Sequence, residues 1–185
     1  MIGAVLAGGE ASRFGGGKPA ALLAGRPLLS YPLEALGAVC SRVAVVCKSS
    51  TALPDLDGAE RWEEPDEPQH PLTGIVYALS EADGEPVLVC AADMPFVTAD
   101  ACRTLLKAPA GALAVVAAAD GVLQPTFGVY APQALDTLRA APPNTRLTDT
   151  VEQLRPARVA FPARLVRSVN TREELADAER VLAAA

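Results

Sequence analysis

Aromatic side chains are scarce in this chain, at 4% of its 185 residues. A large aromatic core is therefore excluded, and the 50% of residues that are apolar must build the core from Ala, Val and Leu. Helices packed on a parallel sheet are filled well by such medium-sized side chains. Histidine is scarcer still: His70 is the single one, so a His-based triad or a His-rich metal site must use it or fail. Positive charge is also in deficit, with 16 Lys and Arg against 22 Asp and Glu, a net charge of −6 and a pI near 4.8. A bare acidic surface repels phosphate backbones, which argues against duplex nucleic acid as a partner. It leaves room for a nucleotide, because a few local N–H groups and cations decide that. No apolar run reaches the ~20 residues needed to cross a bilayer, so no membrane partner is expected. Met1–Leu6 lacks the basic stretch of a signal peptide. The chain is expected to be cytoplasmic. Its four cysteines, Cys40, Cys47, Cys90 and Cys102, show no C-x₂-C spacing, which removes the usual zinc frameworks. Cys47 and Cys90 end apolar runs and read as reduced, buried thiols.

Short apolar runs alternate with helical patterns. Strands are expected at Ile2–Leu6, Arg42–Cys47, Pro86–Ala91 and Ala112–Ala118, with a short one near Glu60–Trp62. The run Val122–Tyr130 contains Pro125 and is expected to be extended and near a sheet edge. Helical patterns cover Leu28–Val39, Thr73–Ala82, Ala99–Lys107, Pro132–Arg139 and Leu147–Leu154. Thr171-Arg172-Glu173-Glu174 fits a capping box at the start of a last helix. The alternation implies one domain over residues 1–185, a three-layer α/β fold with a mostly parallel sheet and helices on both faces. Ligands of such sheets bind beyond the carboxyl ends of the strands, at the switch point.

Strand one runs into Leu6-Ala7-Gly8-Gly9-Glu10-Ala11-Ser12-Arg13-Phe14-Gly15-Gly16-Gly17-Lys18. Glycine at this density suits a loop whose backbone must approach a ligand and turn its N–H groups toward an anion. Arg13 and Lys18 add full positive charges for phosphates. A Walker A loop fails, because Ser12 stands at its first glycine and Pro19 follows Lys18. A dinucleotide fingerprint fails too: its last glycine position is Ala20, and Lys48 stands where an acidic residue belongs. At the end of the third core strand, Ala92-Asp93-Met94-Pro95 sets Asp93 at the carboxyl edge of the sheet. One carboxylate there can share Mg²⁺ with phosphate oxygens and water.

Leu6, Ala7, Gly8, Gly9, Arg13, Gly15 and Lys18 resemble the L-A-G-G-x-S-x-R-x-G-x-x-K signature of nucleotidyltransferases related to molybdenum cofactor guanylyltransferase. Ala11 replaces the usual Ser, and Gly17 stands where Asp often precedes the Lys. Gly25-Arg26-Pro27-Leu28-Leu29 resembles the G-x-P-L-L of that family, which opens the first long helix. His70-Pro71-Leu72-Thr73-Gly74-Ile75 resembles its G-P-L-x-G-I, and Asp93-Met94-Pro95 its D-x-P. Gln124-Pro125-Thr126 resembles its [HQ]-P-x segment. Asn170 and Thr171 match part of its N-x-N-T-P-E-D-L, with Ser168 for the first Asn and Arg172 for the Pro.

The resemblance implies a Rossmann-like nucleotidyltransferase fold, akin to glycosyltransferase A, and Mg²⁺-dependent transfer of GMP from GTP to molybdopterin with release of pyrophosphate. It implies that Leu6, Ala7, Gly8, Gly9, Gly15 and Lys18 bind the nucleotide, that Gly74 lets the base approach, and that Asp66 is the acidic base contact. Arg13, Lys18 and Asp93 become the catalytic set, Asp93 also the Mg²⁺ ligand. Gln124, Pro125, Arg146 and Asn170 become the acceptor side. Partners in cofactor biosynthesis, or an apoenzyme receiving the product, go with such an activity. In the guanylyltransferases an Asn often follows strand two and touches guanine; here that neighbourhood reads Cys47-Lys48-Ser49. A transferase using CTP or another NTP, or another phosphorylated acceptor, or a nucleotide-binding module without turnover, therefore stays open.

Overall fold

The computed structural model describes residues 1–8, 14, 17–108, 111–142 and 145–183. A seven-stranded sheet runs through them in the order β5-β4-β1-β6-β8-β7-β9. Its strands are β1 (Ile2–Leu6), β4 (Arg42–Cys47), β5 (Glu60–Glu63), β6 (Val87–Ala91), β7 (Ala114–Ala119), β8 (Val122–Tyr130) and β9 (Ala157–Ala160). Pairing is parallel from β5 through β6 and between β7 and β9; β8 runs antiparallel to both its neighbours. A separate two-stranded ribbon joins β2 (Leu22–Leu23) to β3 (Arg26–Pro27).

The central strands read as unbroken apolar runs because both faces are covered. The pleat divides each run between two cores. Val45, Leu88, Cys90, Val115 and Ala117 face one core, where α1 (Ser30–Gly37) and α3 (Ala99–Leu106) supply Leu36, Cys102 and Leu105. Ile2, Val46, Val87, Val89 and Val116 face the other. There α2 (Pro71–Glu81), α4 (Leu135–Arg139) and α5 (Leu147–Glu152) supply Ile75, Leu79, Leu138 and Val151. A third cluster of Phe14, Leu23, Leu28 and Val169 sits under α6 (Arg172–Ala183), which contributes Ala178. The last helix begins with the capping box expected of it. Thr171 Oγ1 accepts from Glu174 N at 3.1 Å, and Glu174 Oε2 accepts from Thr171 N at 3.1 Å.

Two expectations from sequence need correction. The segment Val122–Tyr130 is an interior strand, not an edge, because β8 lies between β6 and β7. Its proline is tolerated by a shift in register: Val116 pairs with Gly128 and Ala117 with Gln124, which leaves Pro125, Thr126 and Phe127 without a β7 partner. Tyr130 Oη closes the bulge by donating to the Pro125 carbonyl at 2.6 Å. The segment at Gly25 opens a shorter helix than expected: Arg26 and Pro27 form β3, Leu29 is the N-cap of α1, and α1 spans 8 residues. No helix among the described residues is long and apolar enough to cross a membrane.

Candidate active site

Strands β4 and β6 flank β1 on opposite sides, so the connections leaving the sheet diverge at its carboxyl end. A cavity of about 330 Å³ opens there. Leu6, Ala7 and Gly8 form its floor as the chain leaves β1, where Ala7 N donates to the Val46 carbonyl at 2.8 Å. Ala91, Ala92 and Asp93 form a second wall at the exit of β6, where Ala92 N donates to Leu6 O at 2.9 Å. Both segments thus continue the sheet's hydrogen bonding for a residue past the strands, which fixes where Gly8 and Asp93 stand.

Lys18 comes from a short 3₁₀ turn after the glycine loop and reaches across the cavity. Its Nζ donates to Asp93 Oδ2 at 2.6 Å and to Asn170 Oδ1 at 3.1 Å. Asn170 is held there by the chain before α6, since Val169 is fully buried and its N–H donates to the Asp93 carbonyl at 2.8 Å. Ser168, on the other side of Val169, lines the same cavity. Asp93 Oδ1 is buried with no hydrogen-bond partner among the described residues. An orphaned carboxylate oxygen is costly unless something polar or charged meets it. No group of three or more His, Cys, Asp or Glu gathers among the described residues. A single carboxylate beside Lys18 fits Mg²⁺, which keeps waters and takes substrate oxygens as its other ligands.

The opposite wall carries a second carboxylate. Glu64 follows β5, and its N–H donates to Cys47 O at 3.0 Å, continuing the β4–β5 ladder. That register turns Glu64 inward beside Gly8 and Gly74. A Cβ on Gly8 would lie 1.8 Å from Glu64 Oε1, and one on Gly74 would lie 3.3 Å from Oε2. Only glycine leaves space for the Glu64 carboxylate at Gly8. Lys48 Nζ stands 3.4 Å from Glu64 Oε1, and both side chains are buried. Glu64 Oε2 has no hydrogen-bond partner among the described residues. Burial pushes the Glu64 carboxyl above the usual carboxylate range, and Lys48 opposes that rise. His70 lines the cavity and caps α2, its Nδ1 accepting from Leu72 N at 3.2 Å. That bond puts the proton of a neutral His70 on Nε2.

Residues 3–159 match the model of the MobA-like NTP transferase domain. The chain belongs to that family. It is 34% identical to a molybdenum cofactor guanylyltransferase of Cereibacter sphaeroides over 98% of this chain and 97% of that one. A probable molybdenum cofactor guanylyltransferase of Deinococcus radiodurans is 33% identical, covering 83% of this chain and 81% of its own. The crystal structure of molybdopterin-guanine dinucleotide biosynthesis protein A from Archaeoglobus fulgidus superposes with a TM-score of 0.78 at 24% identity over 100% of both chains. A 2-C-methyl-D-erythritol 4-phosphate cytidylyltransferase from Thermus thermophilus shares the fold at a TM-score of 0.75 and 19% identity, over 99% of this chain and 98% of that one. As a MobA-like NTP transferase the chain is an enzyme, a nucleotidyltransferase, and its sheet is the expected three-layer nucleotidyltransferase fold.

Seven of the residues expected at the site of this MobA-like chain line one cavity: Leu6, Ala7, Gly8, Lys18, Gly74, Asp93 and Asn170. Gly9, Arg13 and Gly15 lie outside the described residues. Asp66 is exposed and off the cavity, accepting from Ser49 Oγ at 3.3 Å. Gln124 and Pro125 stand at the β8 bulge without lining the cavity; their neighbour Thr126 does line it. Arg146 precedes α5 and is not among the lining residues. Glu64 was not singled out from sequence. Its signal was a carboxylate at the end of β5, the strand beside β4, obscured by Glu60, Glu63, Asp66 and Glu67 nearby.

Proposed function

We propose that this MobA-like enzyme is a Mg²⁺-dependent guanylyltransferase that moves GMP from GTP to molybdopterin and releases pyrophosphate. The observation that carries the reading is the pair of inward carboxylates on opposite walls of one cavity. Asp93 stands beside Lys18, and Glu64 stands between Gly8 and Gly74. The first suits a metal and phosphates, the second a base. Guanine presents two adjacent donors, N1–H and N2–H, and a carboxylate accepts from both. Adenine and cytosine each present a ring-nitrogen acceptor beside their amino group, which a carboxylate repels. Glu64 therefore takes the place first expected of Asp66.

In this reading a non-bridging oxygen of the acceptor's phosphate attacks the α-phosphorus of GTP. A new P–O bond forms, the bond to the β-phosphate oxygen breaks, and pyrophosphate leaves with that electron pair. A phosphate nucleophile is already ionised near neutral pH, so no general base is needed. Catalysis then consists of positioning and charge stabilisation. Glycine-loop N–H groups hold the phosphates. Lys18 leaves Asp93 for the phosphate oxygens and stabilises the charge that grows there, and Arg13 serves the departing pyrophosphate. Asp93 is the residue that would hold Mg²⁺, which supplies neutralisation of phosphate charge when bound. Asn170, Ser168 and Thr126 line the side left to the acceptor; Gln124, Pro125 and Arg146 are not among the lining residues.

Thermal shifts with GTP, CTP, ATP and UTP, with and without Mg²⁺, test the nucleotide, because a ligand of the folded state raises the melting point by mass action. Pyrophosphate release with molybdopterin tests the transfer. A shift with GTP that grows with Mg²⁺, followed by turnover, is expected. Preference for CTP reassigns the enzyme, and tight GTP binding without turnover makes it a binding module.

A further inference from the structure

Lys48 is a buried cation that the proposed transfer does not use. Its side chain is 8% exposed, and that of Glu64 is 4% exposed. Lysine is seldom buried so far without a purpose for its charge. Its Nζ donates to the Pro65 carbonyl and stands beside Glu64 Oε1. Lys48 does not line the cavity; Gly8 covers it, with the Lys48 Cε 3.7 Å from where a glycine-8 Cβ would sit. Any effect on a nucleotide must therefore pass through Glu64. The pair is a poor device for stability alone, since a buried ion pair seldom outperforms apolar residues of the same volume. This one also leaves Glu64 Oε2 at the cavity wall without a partner among the described residues.

We propose that Lys48 is a positioning residue that keeps Glu64 ionised and fixes Oε2 toward the base, so that the cavity prefers a base edge with two adjacent donors. The inference rests on the reading of Glu64 as the base contact. A protonated Glu64 presents a hydroxyl donor and loses half its acceptor capacity. Burial drives the carboxyl toward that form, and Lys48 is the charged group that resists it. The other titratable groups at this cavity stand on other elements: His70 before α2, and Lys18 and Asp93, which pair with each other. Along its own segment Glu64 is flanked by Glu63, which pairs with Arg61, and by Asp66, which accepts from Ser49 Oγ.

The test combines carboxyl ¹³C NMR of the ligand-free protein with calorimetric GTP affinity between about pH 6 and about pH 8, over which a one-unit pKa shift is worth a tenfold change. Wild type is expected to bind GTP with less than about a twofold change across that range. In Lys48→Met the Glu64 carboxyl should titrate at higher pH, and GTP should bind about tenfold more weakly at the acid end than at the alkaline end. Lys48→Arg should restore the flat profile, which a merely space-filling role for Lys48 would not require. Lys48→Met/Glu64→Gln, with no charge left to bury, should fold and show no pH dependence. If Lys48→Met does not fold, Lys48→Gln takes the same two measurements. An unshifted Glu64 titration with a flat GTP profile overturns the proposal. Glu64→Gln separates the two layers of the argument. If that variant keeps the wild-type preference for GTP over ATP, the base-contact reading fails and the role of Lys48 with it. If it loses the preference while Lys48→Met stays flat, only the role of Lys48 fails.

Discussion

At the scale of single residues, the site is defined by what two carboxylates lack. Asp93 and Glu64 each bury one oxygen without a partner among the described residues, and in each case a lysine holds the other carboxylate oxygen. Such atoms are retained where a ligand completes them. Replacing Asp93 with Ala should lower turnover by about 10²–10³-fold, the scale of losing one preorganised electrostatic group. The far-UV circular dichroism should be unchanged, because Asp93 follows β6 and does not pack in the core. Gly8→Ala should act differently. Its Cβ would fall 1.8 Å from Glu64 Oε1, so the buried pair must move. The change should cost about 1–3 kcal/mol in urea unfolding, as overpacking does, and should weaken GTP binding in calorimetry. Glu64 was not legible in the sequence, because five carboxylates crowd Glu60–Glu67 and only the register of β5 on β4 turns one of them inward. Lys48, by contrast, was visible as a departure after strand two, but its partner was not.

At the scale of elements, caps and turns decide which segments meet at the cavity. The Thr171–Glu174 box anchors the start of α6, next to Asn170. Thr171→Ala should cost about 1 kcal/mol in chemical denaturation, the usual cost of a lost N-cap. It should also raise the acceptor KM more than the GTP KM, since the proposed function puts Asn170 on the acceptor side. The box could be read directly because Thr and Glu at that spacing have one local explanation. The β7–β8 hairpin was legible in principle and missed. Asp120-Gly121 joins the two strands with φ of 50° and 79°, the left-handed pair that a type I′ turn needs. That dipeptide implies that β8 is an antiparallel neighbour of β7. Pro125 masks the signal, because a proline in a strand usually marks an edge. What kept it interior is the bulge, a relation between two strands that neither strand's sequence states.

At the scale of the whole molecule, the fold was legible because the chain repeats one message. Short runs of Val, Ala and Leu alternate with helices, and a sheet covered on both faces is the arrangement that buries them all. The small strand β9 went unread because its alternating exposure gives no continuous apolar run. The same cores hold the cysteines. Burial pushes the Cys40 thiol up to about 11 and the Cys102 thiol up to about 12, against an ordinary 9.0. A thiol raised in the folded state contributes stability below its unfolded pKa and loses it as pH rises through the folded value. Denaturation midpoints should therefore fall between about pH 9 and pH 12, and Cys102→Ala should flatten that decline. Thiol reagents near neutral pH should label native Cys90 and Cys102 far more slowly than the unfolded chain, because the thiolate is the reactive form.

The central claim is that the triphosphate and its divalent ion meet between the glycine loop and the exit of β6. It is tested most directly by crystals grown with GTP and Mn²⁺ in place of Mg²⁺, using the anomalous signal of the metal. The expected peak lies about 2 Å from an Asp93 carboxylate oxygen and from a phosphate oxygen, with Lys18 moved from Asp93 to the phosphates and guanine beside Glu64. A metal peak remote from Asp93, or phosphates bound away from Gly8 and Lys18, would contradict the account.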